Sequence, residues 1–246
     1  MNDSLPSLKR RKRLIRAFAK TNPLYGKKPE ERTVEELLSS GMINLDKPSG
    51  PTSHQVVAWV KDMLNANKAG HGGTLDPKVT GVLPIALNEG TKALKVLLTA
   101  GKEYIGIMRL HRDVNEIKIA SVCKSFVGEI YQIPPVKSAI KRVRRKRRIY
   151  YLDILEIKGR EVLFRVGCEA GTYVRTLCVD IGKKLGVGAH LQELRRTRVG
   201  TLSEDDSVTL HDVKDAYEMW KEDGDEREIR RCIQPIEKLL EHLPKV

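Results

Sequence analysis

The residues with the clearest capacity for chemistry lie in a glycine-rich stretch at positions 70–81, GHGGTLDPKVTG, which holds one carboxylate, Asp76. Glycine permits backbone angles that a Cβ forbids, and Pro77 biases Asp76 toward an extended conformation. The stretch therefore predicts a shaped loop that presents one side chain. An aspartate has an ordinary pKa of about 3.9, so it is ionised at neutral pH and can act as a nucleophile or base. The alternative is a structural turn carboxylate, the commoner role of an aspartate before proline.

A second stretch, at positions 137–148, could bind a polyanion because eight of its twelve residues are cationic. Like charges at this density repel one another unless phosphates neutralise them, which favours a segment that binds RNA. The alternative interpretation is a hairpin tip whose charges are solvated. The chain has a net charge of +13, which also favours a nucleic acid partner. The cations predicted to contact RNA are Lys137, Lys141, Arg142, Arg144, Arg145, Lys146, Arg147 and Arg148.

The sequence shows no pattern for a metal, a cofactor or a membrane span. Its four cysteines are scattered without a CxxC pair or zinc-ligand spacing, which predicts reduced thiols and no metal. It has no Walker GK[ST] loop and no GxGxxG fingerprint, so we expect no cofactor. Because it also has neither a signal-like stretch nor a run of about 18 apolar residues, we expect an intracellular protein with no membrane partner.

Apolar periodicity predicts the elements that must position these residues. Thr33 and Glu36 form a capping-box pattern that opens a short helix ending near Gly41, and Gly186 is a C-cap signal. Helical spacing predicts further helices at 53–64, 91–98, 117–126 and 173–185, and a charged helical tail from 208 onward. Strands are predicted at 42–45, 82–87, 104–110, 149–157, 161–168 and 191–199, with a hairpin turn at 158–160. The absence of a regular βαβ rhythm predicts an α+β fold on a largely antiparallel or mixed sheet.

Several motifs around the glycine-rich stretch occur in the order of a known family. They are LDKPSGPTS at 45–53, KEYIGIMRLH at 102–111, GTYVRTL at 171–177 and GAHLQELRRTR at 188–198. With these motifs the chain resembles the TruB-type RNA pseudouridine synthases, and most closely the archaeal and eukaryotic dyskerin-like branch, the catalytic subunits of H/ACA ribonucleoproteins. The resemblance runs from about residue 21 to the C-terminus. It implies the pseudouridine synthase fold and the isomerisation of uridine in RNA, a reaction without net oxidation or hydrolysis.

The resemblance also assigns the catalytic residues. It implies that Asp76 is the nucleophile and that Arg175, which alone would be read as a surface helix cation, is its ion-pair partner. A bidentate guanidinium would keep the carboxylate ionised and oriented beside a base. Tyr104, otherwise an ordinary strand aromatic, is implied to pack on the target base and is a candidate for the proton step at C5.

The same comparison gives residues that bind substrate. Leu194 matches the family residue on the other side of the base. His71 matches a histidine that helps to fill the space left by the flipped base; the alternative for His71 is a structural hydrogen-bonding histidine. Lys47 is expected to be a positioning charge, with a solvated lysine as the alternative. Tyr173, in the motif that carries Arg175, is assigned to substrate binding. The basic stretch falls where the family has a thumb loop that closes over RNA.

The predicted organisation is a basic N-terminal extension at 1–40, a catalytic domain at 41–230 and a C-terminal segment at 231–246. In dyskerin-like proteins that segment leads into a PUA domain, which we do not find in this sequence. The implied partners are H/ACA guide RNA, small protein subunits of the particle and substrate ribosomal RNA. The expected location is the cytoplasm for an archaeal protein or the nucleolus for a eukaryotic one.

Two alternatives remain open at this stage. One is a guide-independent enzyme that acts on the tRNA T-loop, and the other is a non-catalytic RNA-binding scaffold. The chain departs from the branch pattern at Ile133, where arginine is usual, and at Arg112, where glycine is usual. These departures concern local RNA contacts and not the proposed catalytic pair.

Overall fold

The computed structural model describes residues 4–9, 14–15, 17, 22–134, 143–241 and 243. Lys137, Lys141 and Arg142, which we predicted to contact RNA, lie outside the described residues. The described α-helices are α1 (Val34–Ser40), α2 (Ser53–Met63), α3 (Glu116–Lys124), α4 (Val174–Leu185), α5 (Leu210–Asp223) and α6 (Glu226–Cys232). The described strands are β1 (Met42–Lys47), β2 (Ala69–His71), β3 (Thr80–Leu87), β4 (Lys102–Leu110), β5 (Gly128–Gln132), β6 (Arg145–Lys158), β7 (Glu161–Cys168), β8 (Ala189–Val199) and β9 (Leu202–Ser203).

The chain divides into two compact units. The first unit contains residues 99–197 together with the start of the chain up to Pro6, and the second contains residues 7–98 and 198–246. These two units differ from the predicted N-terminal extension, catalytic domain and C-terminal segment, which were divided at residues 40 and 230. The predicted division stays a prediction.

The first unit is built on a sheet with the strand order β8-β4-β7-β6-β5, in which the pairs β4–β7, β7–β6 and β6–β5 are antiparallel. Its core side is lined by alternate residues of the strands, such as Met108 of β4 and Phe164 and Val166 of β7, all of which are buried. Helix α4 buries the face that carries Leu177 and Ile181. It ends at Gly186, where φ is 78°, a left-handed conformation that glycine adopts without a steric cost.

The second unit is organised around β3, which pairs antiparallel with β1 and with β2. Every residue of β3 after Thr80 is buried, as expected for a strand in the centre of a core. Helix α1 begins with the capping box of Thr33 and Glu36. An isolated parallel bridge joins Leu45 to Val208 beside these antiparallel ladders. The prediction of a largely antiparallel or mixed sheet with flanking helices is confirmed.

Three predictions of local structure were wrong or incomplete. The helix predicted at 91–98 is a 3-10 helix, Asn88–Leu97, and Leu98, which we expected on its apolar side, is exposed. Strands β2, β5 and β9 were not predicted, and β2 takes in the first two residues of the stretch predicted as a loop. The end of the basic stretch, which we expected in a loop, forms the start of β6 and pairs with β5, with Arg145 opposite Gln132.

Candidate active site

Asp76 lies in the second unit, in the turn between β2 and β3. The N–H group of Val79 donates to the Asp76 carbonyl oxygen at 3.0 Å and closes this turn. Gly73, at the start of the connection, has a φ of 146°, which a residue with a Cβ rarely adopts. The side chains of Asp76 and Pro77 are exposed. The turn therefore presents the carboxylate at the surface.

Lys47 is a buried support for this turn. It is 0 % exposed, and its Nζ donates to the carbonyl oxygens of Pro48 at 2.7 Å, Pro77 at 3.0 Å and Val79 at 3.0 Å. Burial lowers the pKa of Lys47, and the charge of Asp76 acts in the opposite direction because it favours the ammonium form. The alternative of a solvated lysine is wrong, and the geometry fits a positioning role.

Ser53, the first residue of α2, holds the turn from a second side, a role that was not predicted from the sequence. The buried Ser53 hydroxyl donates to the Leu75 carbonyl oxygen at 3.0 Å and accepts from the Leu75 N–H group at 2.8 Å. Gly72 packs so closely on Leu97 that an added Cβ would lie 2.6 Å from Leu97 Cδ1. These contacts fix the residue directly before Asp76 and the start of the connection.

His71 is the last residue of β2 and is half-buried. Its Nδ1 accepts from the N–H group of Gly73 at 3.3 Å, so the neutral ring carries its proton on Nε2. The ring of His54, in the first turn of α2, meets it edge-on with the ring centroids 5.2 Å apart. The predicted site residues Lys47, His71 and Asp76 therefore all lie around one turn of the second unit.

Tyr104 and Leu194 lie in the first unit on neighbouring strands, β4 and β8. Residues alternate between the faces of β4, so Tyr104 and Gly106 share one face. A Cβ on Gly106 would lie 3.0 Å from Leu194 Cδ1, which places Leu194 over the same face. Tyr104 is 9 % exposed. The absence of a side chain at Gly106 leaves room for Leu194 beside this tyrosine.

Two buried cations, Arg196 and Lys102, lie near Tyr104 and were not predicted from the sequence. Arg196 is 1 % exposed and hydrogen-bonds the Tyr104 side chain; burial lowers its pKa, while the tyrosine partly restores it. Lys102 is 7 % exposed and donates to the Ala100 carbonyl oxygen at 2.9 Å. Its pKa is lowered to about 8, first by burial and then by the charge of Arg196. Both residues belong to the motifs quoted for the resemblance, but strand position alone gave no signal of their burial.

Arg175 is the second residue of α4, and its side chain is exposed. Tyr173 is the N-cap of this helix. Its main chain is bound by Gln132, whose Nε2 donates to the Tyr173 carbonyl oxygen at 3.1 Å and whose Oε1 accepts from the Tyr173 N–H group at 2.9 Å. Tyr104, Tyr173, Arg175 and Leu194 thus belong to the first unit.

The described part of the basic stretch uses several of its charges within the protein. Lys146 forms an ion pair with Glu129 at 2.7 Å, and the guanidinium of Arg144 lies 4.2 Å from the ring centroid of Tyr131. Arg147 donates from Nε to the Gly171 carbonyl oxygen at 3.0 Å. Arg148 is exposed. The prediction that this stretch contacts RNA stays a prediction.

Among the described residues, no three His, Cys, Asp or Glu side chains are grouped so that they could hold a metal ion. No helix in the described part of the chain is both long and apolar enough to span a bilayer.

Three family models together match nearly the whole chain. A DKCLD (NUC011) domain matches residues 2–57, the N-terminal domain of the TruB family pseudouridylate synthases matches residues 61–174, and the tRNA pseudouridylate synthase B C-terminal domain matches residues 175–241.

Similar proteins give the same result. The chain is 60% identical over 242 residues to the probable tRNA pseudouridine synthase B of Methanopyrus kandleri, covering 98% of this chain and 72% of that protein. It is 62% identical over 229 residues to the protein of the same name from Thermococcus kodakarensis, covering 93% and 68% of the two chains.

Solved structures extend the similarity to the fold. A chain of a Cbf5-Nop10-Gar1 complex superimposes with a TM-score of 0.96 at 58% identity, covering 99% of this chain and 75% of that one. A chain of an H/ACA RNP bound to a substrate RNA containing 2′-deoxyuridine gives a TM-score of 0.91 at 55% identity, covering 98% and 73%.

The fold and these matches define an RNA-modifying isomerase, a pseudouridine synthase. The chain belongs to the TruB family of pseudouridylate synthases. The resemblance derived from the motifs is confirmed, and the alternative of a non-catalytic scaffold does not fit the family.

Proposed function

We propose that this enzyme is the catalytic subunit of an H/ACA ribonucleoprotein and isomerises uridine to pseudouridine in ribosomal RNA. A guide RNA selects the uridine, and small protein subunits complete the particle. The observation that carries the proposal is the superposition of 99% of the chain on a chain of the Cbf5-Nop10-Gar1 complex, with a TM-score of 0.96. The named archaeal sources of the relatives favour a cytoplasmic location over a nucleolar one.

Asp76 is the proposed nucleophile. The reaction breaks the bond between ribose C1′ and uracil N1, turns the base and joins C1′ to C5; N1 gains a proton and C5 loses one, so the atoms balance. A carboxylate can attack without a separate activating base. The contacts of Lys47 and Ser53 support this role because they fix the main chain on both sides of Asp76 while its side chain stays exposed.

Arg175 and Tyr104 complete the proposed catalytic set. The family resemblance pairs Arg175 with Asp76, and a guanidinium is suited to this because it stays charged and binds a carboxylate through two parallel hydrogen bonds. Tyr104 is proposed to stack on the extruded uracil, with Leu194 on its other side. Base–aromatic stacking contributes about 1–3 kcal/mol per base, which helps to offset the cost of flipping.

The remaining predicted residues serve RNA binding in this proposal. His71 fills the space that the flipped base leaves, and the cations of 137–148 bind phosphates. Such contacts give affinity and position but little sequence selectivity, so selection of the uridine falls to base pairing with the guide RNA.

A second candidate substrate is transfer RNA. The relatives from Methanopyrus kandleri and Thermococcus kodakarensis are both named as probable tRNA pseudouridine synthases B. We therefore propose that the same site also accepts a tRNA T-loop uridine, without a guide RNA. The two substrates share the flipped uridine and differ in what positions it.

The decisive experiment measures pseudouridine in uridine-labelled ribosomal and tRNA transcripts incubated with the protein, with and without a guide RNA and the small protein subunits. The proposal expects product in ribosomal RNA only when the guide is present. Product in tRNA alone, whether or not a guide is added, would replace the ribosomal assignment by the tRNA one.

The residue assignment is tested with Asp76→Asn, which preserves the size of the side chain and replaces the carboxylate by an amide. An amide is a poor nucleophile, so product should fall below detection, while RNA affinity should stay within about threefold because many phosphate contacts remain. Arg175→Lys keeps the charge but loses the bidentate fork, and it should reduce turnover without abolishing binding. Pseudouridine formed by an Asp76→Asn preparation free of deamidated protein and host synthase would contradict the assignment.

A further inference from the structure

The loop at residues 169–173, which leads into α4, is held from one side by β5 and from the other side by β6. We call this loop the lead-in loop and residues 137–148 the basic segment. On one flank, Gln132 at the end of β5 binds the main chain of Tyr173. On the other flank, Arg147 in β6 donates from Nε to the Gly171 carbonyl oxygen at 3.0 Å. The main chain also contributes, because the Glu169 N–H group donates to the Arg148 carbonyl oxygen at 2.8 Å.

The contact of Gln132 is suited to fix a backbone orientation. Its carboxamide pairs with both the N–H and the C=O of one residue, Tyr173, at 2.9 Å and 3.1 Å, as a neighbouring strand would. Gln132 is 3 % exposed. In such a site water cannot readily replace a lost partner, so an uncompensated donor or acceptor carries its full desolvation cost.

Tyr173 sets where and in which direction α4 begins, because it is the N-cap of that helix. Arg175 follows two residues later, in the first turn. A change in the Tyr173 main chain therefore moves the base of the Arg175 side chain directly.

Arg147 makes the second attachment in a way that is specific for arginine. Gly171 has a φ of 78°, and an added Cβ would lie 3.0 Å from one terminal nitrogen of Arg147, so the guanidinium packs closely on this glycine. An ammonium group in its place would lack the Nε donor and the planar shape.

We propose that Gln132 is a positioning residue for Arg175 and that, together with Arg147, it holds the lead-in loop and therefore the start of α4. This inference rests on the proposed role of Arg175. Its consequence is that two residues that do not touch the reacting uridine control the chemical step.

The first test is Gln132→Met, which keeps the length and apolar stem but removes both hydrogen bonds. Gln234→Met in the second unit is the matched control. The Tyr173 amide should exchange with deuterium at least tenfold faster in Gln132→Met than in the parent and the control. At saturating RNA the single-turnover rate should fall at least tenfold, with RNA affinity within about threefold of the parent, because a misplaced catalytic group affects the chemical step. Parental rates for both amide exchange and turnover would overturn the inference.

A second variant, Gln132→Glu, tests the same contact through the pH dependence of turnover, which would not change if Gln132 only stabilised the fold. A protonated carboxyl group can donate to the Tyr173 carbonyl and accept from its N–H group, as the amide does, whereas a carboxylate can only accept. Burial favours the protonated carboxyl group, whereas Arg145, which lies opposite position 132, would favour the carboxylate, so the comparison is made with Arg145→Gln in both proteins. In that background the turnover of the Gln132→Glu variant relative to its parent should rise as the pH falls from 8 to about 5.5. A relative rate that does not change with pH would contradict the proposed pairing.

Coupling through Arg175 is tested by the double variant of Gln132→Met and Arg175→Lys. If Gln132 acts through Arg175, the double variant should be no more than about threefold slower than Arg175→Lys alone. If the rate reductions of the two single variants multiply in the double variant, Gln132 does not act through Arg175. If the proposed function is wrong, the parent protein itself will be inactive. The amide exchange of Tyr173 still shows in that case whether Gln132 holds the Tyr173 main chain.

Discussion

The ammonium group of Lys47 lies 3.0 Å from the carbonyl oxygen of Pro77, the residue that directly follows Asp76. The same group donates to the carbonyl oxygens of Pro48 and Val79. Since Lys47 is 0 % exposed, its charge is used on main-chain oxygens inside the protein. Lys47 therefore determines the shape of the turn that presents the proposed nucleophile.

We predict that Lys47→Met lowers both stability and turnover. Methionine keeps the unbranched stem but leaves the buried Val79 carbonyl oxygen without its charged donor, at a cost of about 1–3 kcal/mol, and removes a donor from the partly buried Pro48 and Pro77 oxygens at a smaller cost. The Pro77 oxygen still accepts from the Gly50 N–H group at 2.9 Å, so the total loss should be about 2–4 kcal/mol. A displaced turn should reduce turnover by about 100-fold, because catalysis is sensitive to shifts near 1 Å. Thermal melts and single-turnover rates measure the two effects.

The matched control is Lys78→Met, which removes an exposed ammonium group from the same turn. It should leave the melting temperature nearly unchanged, because surface charges away from special contacts contribute little. Equal melting temperatures and rates for Lys47→Met and Lys78→Met would show that Lys47 does not hold the turn.

For Tyr104 we predict different effects of phenylalanine and leucine. Tyr104→Phe keeps the ring face for stacking, so it should bind RNA like the parent. It removes the hydroxyl group that hydrogen-bonds the buried Arg196, so it should lower the free energy of unfolding by about 1–3 kcal/mol. Tyr104→Leu should also weaken RNA binding because it removes the ring. RNA titrations and denaturant unfolding measure the two properties. Equal RNA affinity of both variants would remove the stacking assignment.

Much of the fold could be predicted because its signals are local. The capping box at Thr33 and the C-cap at Gly186 mark helix ends within four residues, and both are confirmed. Strand β5 escaped prediction because it is a short edge strand with alternate residues exposed, stabilised by pairing with β6. Arg145 and Arg148 form part of that partner strand although a run of cations favours a loop, since the cross-strand ladder overrides local preference.

For the candidate site, too, local signals could be read from the sequence and long-range contacts could not. The residues assigned by the motifs could be named in advance, but their supports could not. Gln132 and Tyr173 are 41 positions apart in the chain, and Ser53 and Leu75 are 22 apart. A hydrogen bond between such residues leaves no periodic pattern, and the burial of Arg196 and Lys102 opposes the usual preference of these side chains for solvent.

For the basic segment we predict a change in salt dependence. Replacing Lys137, Lys141, Arg142 and Arg148 by glutamine should weaken binding to single-stranded RNA and reduce the slope of log affinity against log salt by roughly 0.7 for each lost phosphate contact. The Arg147 contact with Gly171 is left intact, so the lead-in loop should not be disturbed. Fluorescence titrations between low and moderate salt give the slope.

The control for this prediction carries the same change in net charge. Lys118, Lys124, Lys158 and Lys183 are exposed lysines of the same unit, and their replacement by glutamine should leave the slope nearly unchanged. If both quadruple variants reduce the slope equally, the effect is one of net charge and the basic segment is not a specific phosphate-binding surface.

The last prediction concerns Lys102 and the dependence of stability on pH. Burial and Arg196 lower the pKa of Lys102 from its ordinary value of 10.5 to about 8 in the folded protein. Between these values the unfolded chain holds the proton more tightly than the folded one, so the Lys102 contribution to the free energy of unfolding rises with pH. The four buried cysteines act in the opposite direction above pH 9, because burial raises their pKa values and the unfolded chain ionises first.

A difference measurement separates these effects, because Lys102→Met leaves the cysteines in place. Below pH 8 the parent buries a charged Lys102 beside Arg196 and the variant does not, which stabilises the variant relative to the parent. Above pH 10.5 Lys102 is neutral in both the folded and the unfolded parent, so this difference in stability disappears. The stability of Lys102→Met relative to the parent should therefore fall by about 3 kcal/mol between pH 8 and pH 10.5. Urea unfolding at a series of pH values gives this difference, with Lys124→Met as the exposed control, for which the difference should be nearly flat. A flat curve for Lys102→Met as well would show that Lys102 is hydrated in the folded protein and is not a buried cation close to Arg196.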